Sequence, residues 1–369
     1  MTKLRIGLLG LAAKPIPMVG NNICAPHEII YALASGLKKR GHEITIFSGK
    51  DSNNDFNLLC AELNSAWTEY GPEDKNLVEY TQRRIEYDLI LSSEAIAKLK
   101  AGKLDVLNCH DFRISPYLFA QAGVKALYSV HGDLKNHQTA YDKHRYQVMK
   151  NAGLGLLSMS KDNEKFAEEL ELISYGYTPN GIDVEKYQTG KADRNGILVV
   201  ARIIPIKKIK EAINAALSAK EEITIIGPSG AGKENQEYFE DLQKNYFNRD
   251  GVHYLGYMRQ EDIIPYYQKS KALLYLAKTE GMPLTVLEAM ASGLPVIASP
   301  VGGIKDIIDN GKDGIWAENE DEESLEKYFQ EVKAISSEAC RQKIENNFSV
   351  GKMVEAYERA YLRFLEDSK

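Results

Sequence analysis

The sequence predicts an α/β fold of two doubly wound domains with a cleft between them. Apolar strand-like runs alternate with helical stretches along nearly the whole chain. Those runs are almost continuously apolar, as strands covered by helices on both faces must be. After the polar stretch QTGKADRNG the alternation starts afresh with its own first strand, which calls for a second domain.

Taken in order, KLRIGLLG reads as the first strand, His27 to Lys39 as a helix ended at Gly41, and HEITIFSG as the next strand. DVLNCHD, KALYSVHG and LGLLSMS continue the series. Beyond NGIDVEKY come ILVVAR, EITIIG, VHYLG, KALLYLA and PVIAS. The expected domains are therefore 1–190 and 191–350, joined near 185–195. Segment 351–369 carries an apolar stripe of Met353, Val354, Tyr357, Ala360, Tyr361 and Phe364, the pattern of a helix that docks, here back onto the first domain.

Composition narrows the function classes. The 369 residues are 44% hydrophobic and 27% charged, enough for a large core in each domain. With 46 basic against 52 acidic side chains the net charge is −6, and neither half carries a nucleic-acid footprint. Cys24, Cys60, Cys109 and Cys340 lie far apart with no CxxC, which suggests reduced thiols in a cytoplasmic protein. The start, MTKLRIGLLGLAA, superficially resembles a signal peptide, but its apolar run is short, lacks a clear cleavage context and reads equally well as a buried first strand. No stretch is long enough to span a bilayer.

The most informative segment is EGMPLTVLEAMASGLPVIASPV, from Glu280 to Val301, with two carboxylates eight residues apart around a helix start. Gly281, Met282 and Pro283 keep a loop open, Thr285 is the expected N-cap, and Glu288 falls in the expected first turn. Gly293 should end the helix as its C′ residue. A loop entering a helix N-terminus offers unpaired amides to an anion, while Glu280 and Glu288 suit sugar and ribose hydroxyls. An amphipathic helix with two solvated glutamates is the plainer alternative.

Other candidates follow strand ends, where open α/β sheets bind ligands. Arg202 and Lys207 follow ILVVA and would neutralise a diphosphate; a solvated basic loop is the alternative. His110 and His131 each close an apolar strand, and His131 is the one assigned to the site. GPSGAGK, residues 227–233, has P-loop spacing, but Glu234 stands where magnesium needs Ser or Thr, so nucleotide hydrolysis is a rival reading only. No two aspartates lie two residues apart, so a D-x-D metal element is lacking and no metal is expected.

EGMPLTVLEAMASGLPVIASPVGG resembles the E-x7-E region of the retaining family 4 glycosyltransferases. In the expected order come VGNN near residue 20, GLKKRGHEITIF, the HD of CHD, SVHGDL, PNGIDVEKY, ARIIPIKK and GGIKDIIDNGKDG. SVHGDL with GHEITIFSGKDS most resembles the avilamycin-type branch. The resemblance implies a GT-B fold of two Rossmann-like domains and front-face transfer from a nucleoside-diphosphate sugar, a UDP-sugar favoured, with no cofactor. It implies that Arg202 and Lys207 bind the donor diphosphate and that Glu280 holds the sugar. Glu288 would hold the ribose, and the loop and helix start at Gly281, Met282, Pro283, Leu284 and Thr285 would meet the phosphates, Pro283 without an N–H. Gly20 would let the first domain's loop approach the donor, and His131 would contact the transferred sugar. The sequence departs from the family at Val19-Gly20 for a GG pair, at Lys208 for a glycine, and at Leu276-Ala277 for Pro-Ser.

The acceptor is open between a small molecule, a glycan and a lipid-linked sugar. The near-neutral first domain, with 22 basic and 23 acidic side chains in residues 1–190, argues against tight membrane docking but leaves peripheral contact open. A non-catalytic sugar-nucleotide binding protein, or a phosphorylase with the same two-domain shape, is the remaining alternative.

Overall fold

The computed structural model describes residues 3–10, 14–17, 24–52, 55–59, 63–70, 77–190 and 194–368. Gly20, assigned above to the donor loop, lies outside the described residues. The chain divides into two compact units, Met1–Gly181 with Val350–Lys369, and Ile182–Ser349.

The first unit is built on β1 (Arg5–Leu9), β2 (Glu43–Phe47), β3 (Asn57–Leu59), β4 (Val106–Cys109), β5 (Leu127–Val130), β6 (Gly155–Ser158) and β7 (Ile173–Tyr177). They form one parallel sheet in the order β3-β2-β1-β4-β5-β6-β7. The central strands are buried on both faces, which is why they read as unbroken apolar runs. The helices are α1 (Ala25–Lys39), α2 (Ala66–Tyr70), α3 (Leu77–Lys100), α4 (Ser115–Ala122), α5 (Ala140–Ala152) and α6 (Lys161–Glu169). Leu91, Phe119, Tyr128, Met149 and Leu156 are among the residues of its core.

The second unit carries β8 (Ile197–Val200), β9 (Ile223–Ile226), β10 (Val252–Tyr254), β11 (Ala272–Tyr275), β12 (Val296–Ala298) and β13 (Ile315–Trp316), parallel in the order β10-β9-β8-β11-β12-β13. Its helices are α7 (Ile209–Ser218), α8 (Lys233–Asn245), α9 (Gln260–Lys269), α10 (Leu284–Ala291), α11 (Ile304–Ile307), α12 (Glu322–Glu331) and α13 (Ser337–Asn347). In each sheet the strand order reverses beside the first strand of the unit, between β1 and β4 and between β8 and β11. Ligand crevices in open sheets form at the carboxyl ends of such a pair.

The first unit closes at Gly181, ahead of the boundary at 190. The stretch IDVEKY belongs to the second unit instead: Ile182 pairs with Ser349, and Val184 and Tyr187 are buried. Asn195 N donates to Lys269 O at 2.7 Å, so the polar stretch is tied down at its far end.

The last helix, α14 (Val350–Glu366), belongs to the first unit. All six residues of its apolar stripe are buried. Tyr361 donates to Asn108 Oδ1 at 2.8 Å, and Tyr357 meets Ser129 at 3.1 Å, so the helix is hydrogen-bonded to the sheet as well as packed on it. Glu358 receives His42 Nε2 at 2.8 Å and Arg40 at 2.8 Å. Leu4 N donates to His42 Nδ1 at 3.2 Å, which leaves the ring proton on Nε2, facing the carboxylate.

Candidate active site

Arg202, Lys207 and Glu280 of the second unit follow the carboxyl ends of β8 and β11. β8 ends at Val200 against the glycine-rich turn, where a Cβ on Gly227 would strike the Ala201 carbonyl. Ile203 N then donates to Pro228 O at 2.9 Å, and a short 3-10 turn, Pro205–Lys207, lifts Lys207 over the sheet edge. Lys278 N donates to Ile206 O at 3.0 Å and draws the β8 and β11 exits together.

Lys207 is 8% exposed. Its Nζ donates to Tyr275 Oη at 2.7 Å, forms an ion pair with Glu280 Oε2, and lies 4.5 Å from the centroid of the Tyr275 ring. Tyr275 in turn donates to Glu280 Oε2 at 2.6 Å. Burial, with the Glu280 carboxylate beside it, pushes the Tyr275 phenol well above its ordinary value, so it remains a donor. Glu280 Oε1 accepts from Gly281 N at 3.2 Å. A buried pair of this kind keeps its stability only because every member is hydrogen-bonded; removing one partner of such a pair costs about 3–5 kcal/mol.

Arg202 differs from Lys207. It is exposed at the end of β8 and, among the described residues, has no hydrogen bond or ion pair. The structure thus brings Lys207 and Glu280 together and leaves Arg202 at the same strand end as an uncommitted cation.

Helix α10 starts earlier than the sequence suggests. Pro283 is the N-cap, extended at φ −75° and ψ 123°, and no side chain caps it. Thr285 is therefore inside the first turn rather than capping it, and Glu288 falls in the second turn. The fixed φ of proline suits the residue that ends an extended loop, so the helix can begin at once. The amides of Leu284, Thr285 and Val286 have no intrahelical acceptor and carry the positive end of the helix dipole. At the other end Gly293 (φ 66°) closes a Schellman motif, with Leu294 N on Ala289 O at 2.9 Å. Gly281 and Met282 are backed by the PVGG turn: Gly303 N donates to Gly281 O at 2.7 Å, and a Cβ on Gly302 would overlap the Glu280 carbonyl.

Glu288 is 6% exposed and accepts from Gln260 Nε2 at 2.5 Å and Tyr267 Oη at 2.9 Å. Behind Lys207, Lys208 holds a left-handed conformation (φ 50°, ψ 44°) and pairs with Glu320, which also accepts from Ser299 Oγ at 2.6 Å. Ala277 N donates to that Ser299 at 2.9 Å.

The P-loop reading fails on its lysine. Lys233 opens α8 with 89% of its side chain exposed and stands 3.7 Å from Glu237 on the same helix. The turn instead supports β8, with Gly230 N directed at Ile203 O at 3.4 Å.

In the first unit, His131 ends β5 and His110 ends β4, and the two rings meet with Nδ1 of His110 2.7 Å from Nε2 of His131. Burial, with His27 nearby, holds His131 down to about 3; burial and both neighbouring rings hold His110 well below its ordinary range. His27, at the start of α1, points Nδ1 at the Pro15 carbonyl at 2.8 Å; a carbonyl only accepts, so that nitrogen carries its proton.

Sequence reasoning missed Tyr275, Tyr267 and Gln260, and it left His110 outside the site. Tyr275 reads as core in KALLYLA, yet a tyrosine at a strand's last position must find a partner for its hydroxyl, and that was the available signal. Gln260 gives none.

A family described as Glycosyl transferases group 1 matches residues 182–349, and one described as Glycosyltransferase Family 4 matches residues 28–160. Each of the two units thus matches a glycosyltransferase family, and the fold is GT-B. An N-acetyl-alpha-D-glucosaminyl L-malate synthase of Bacillus anthracis is 24% identical to this glycosyltransferase over 401 aligned positions, spanning 100% of this chain and 99% of the relative. A UDP-Gal:alpha-D-GlcNAc-diphosphoundecaprenol alpha-1,3-galactosyltransferase of Escherichia coli is 28% identical over 234, covering 55% and 58%. Among solved structures, a sucrose-phosphate synthase of Thermosynechococcus elongatus superposes with TM-score 0.77 at 17% identity, covering 99% of this chain and 100% of that one. HepE of Anabaena with UDP and glucose gives 0.70 at 14%, covering 96% and 98%. The avilamycin enzyme AviGT4 gives 0.65 at 16%, covering 98% of each, a likeness of fold. Among the described residues of the glycosyltransferase no helix is long and apolar enough to cross a membrane.

Proposed function

We propose that this glycosyltransferase moves a sugar from a UDP-sugar to a hydroxyl acceptor with retention of configuration and without a metal ion, in the cytoplasm. The observation that carries the reading is the Lys207–Tyr275–Glu280 cluster beside the uncommitted Arg202 at the reversal point of the second sheet. A diphosphate placed there meets two cationic side chains and the start of α10, which is the charge neutralisation a divalent cation supplies elsewhere. Glu280 then faces the sugar and Glu288 the ribose. Gly281, Met282, Leu284 and Thr285 lend backbone amides to the phosphates. Retention follows if the acceptor attacks on the face the diphosphate leaves. The C1–O bond to phosphate breaks, the new C1–O bond forms, and the acceptor proton passes to the departing phosphate oxygen.

UDP is favoured because a fold neighbour holds UDP and glucose and a relative's name specifies UDP-Gal. That name describes an alpha-1,3 linkage, the outcome of retention from an α-linked donor, and an acceptor linked to a lipid diphosphate; the malate acceptor of the other relative is a small molecule. We place the chain near the avilamycin-type branch on SVHGDL and GHEITIFSGKDS.

The test is a panel of UDP-, GDP- and ADP-sugars with sugar-diphospholipid, glycan and hydroxy-acid acceptors. Acceptor-dependent release of UDP, an α-configured product and unchanged turnover in EDTA are expected. Donor binding without transfer to any acceptor would favour a binding protein, and turnover that requires an added cation would end the metal-independent reading.

A further inference from the structure

We propose that Tyr275 is a positioning residue for transfer, its hydroxyl keeping the Glu280 carboxylate in place while Lys207 turns from Glu280 to the donor diphosphate. The inference rests on the roles proposed above for Lys207 and Glu280, and it concerns a residue to which those roles assign nothing.

Lys207 has two demands on one ammonium. Without a donor it is the counter-ion of Glu280, but a diphosphate carries more negative charge than a carboxylate and draws the ammonium towards itself. The Glu280 side chain is only about a fifth exposed, at 21%, so losing its cation would leave a poorly solvated carboxylate free to move. Tyr275 removes that difficulty. Its single proton lies on Glu280 Oε2 at 2.6 Å and does not depend on where the lysine goes, and Gly281 N holds Oε1.

The phenol is also a fixed point. Tyr275 is the last residue of β11, 6% exposed and in register with Ala298 of β12, and Ser299 N donates to its carbonyl at 3.2 Å. The ring cannot follow Lys207. Its face, 4.5 Å from Nζ, gives the ammonium an apolar rest over which to swing. Of the three ammonium protons, one goes to Tyr275 and one to Glu280, which leaves the third to make first contact with phosphate.

Tyr275→Phe deletes the hydroxyl and keeps the packing, as a thermal melt of each variant checks. Affinity for UDP, UDP-glucose and UDP-N-acetylglucosamine is measured by calorimetry, and kcat and donor KM on the sugar that wild type transfers. UDP binding should stay within about twofold, while the added affinity due to the sugar disappears and kcat falls at least about tenfold with a smaller change in KM. In a Glu280→Gln background the same change should alter sugar-nucleotide binding by less than about twofold, because Tyr275 acts through that carboxylate. Lys207→Met, which leaves Tyr275 on Glu280, should do the reverse, weakening UDP and sparing the sugar increment. A Tyr275→Phe enzyme with wild-type kcat, or an equal loss in the Glu280→Gln background, overturns the inference. A wild-type protein that binds no nucleotide sugar sinks the proposed function itself.

Discussion

Nδ1 of His110 and Nε2 of His131 stand 2.7 Å apart, so one proton lies between two imidazoles. One ring must be the donor and the other the acceptor, which fixes their tautomers relative to each other. Each ring closes a central strand of the first sheet beside its reversal point, with His27 at the start of α1 adding a third imidazole.

That arrangement makes the fold acid-sensitive in a defined window. In the unfolded chain an imidazole takes up a proton near pH 6.5, whereas His131 in the fold does so only at about 3. As pH falls between those values the unfolded state binds protons first, so stability present above about pH 6.5 is lost on acidification. Thermal melts between pH 8 and pH 4 should show this slope, and His131→Asn should flatten it. Equal slopes for the two proteins would show that the ring titrates normally in the fold.

Lys208 occupies a left-handed backbone conformation that suits glycine. The strain of a left-handed residue is about 1 kcal/mol, offset here by the pairing with Glu320. Lys208→Gly should therefore leave the melting temperature nearly unchanged. Lys208→Ala keeps the strain and loses the pair, and should melt below the glycine variant; the reverse order would mean that strain is not what the lysine compensates.

Gly302 has φ 49°, and a Cβ there would collide with the Glu280 carbonyl. Gly302→Ala should push the loop carrying Glu280 and lower transfer by about tenfold or more, since small displacements of catalytic groups are costly. Donor binding and kcat measured on a still-folded variant decide it, and wild-type turnover would show that the loop does not set the position of Glu280.

Glu288 accepts from both Gln260 and Tyr267, so Glu288→Ala strands a buried phenol as well as removing the proposed ribose contact. UDP affinity should fall about tenfold or more. Tyr267→Phe, which leaves the carboxylate, should lose less; a larger loss from Tyr267→Phe would assign the binding to the tyrosine.

Most strands were legible because burial on both faces leaves a run such as ILVV with no polar residue to break the pattern. β13 was not, being only two residues long, and β7 is interrupted by Gly176. Helix α3 is 24 residues long but went unread, because Ile85, Leu89 and Ile90 are exposed and blur its stripe. At the site, charged residues after strands could be picked out one by one, but the hydroxyl joining Lys207 to Glu280 could not, because a buried tyrosine in an apolar strand looks like core. The N-cap at Thr285 was misplaced because propensity favours threonine there, whereas the chain uses the fixed φ of Pro283.

The first sheet is completed by α14, which is encoded 168 residues after the rest of its unit ends. During synthesis the ribosome delivers seven parallel strands long before the helix that covers Asn108 and Ser129 and neutralises the His42 and Arg40 end of the unit. The second unit, by contrast, is one uninterrupted segment and can fold as soon as it emerges. Until α14 emerges the part of the first sheet around Asn108 and Ser129 lacks its cover, so the unit whose synthesis begins first is the last to be complete.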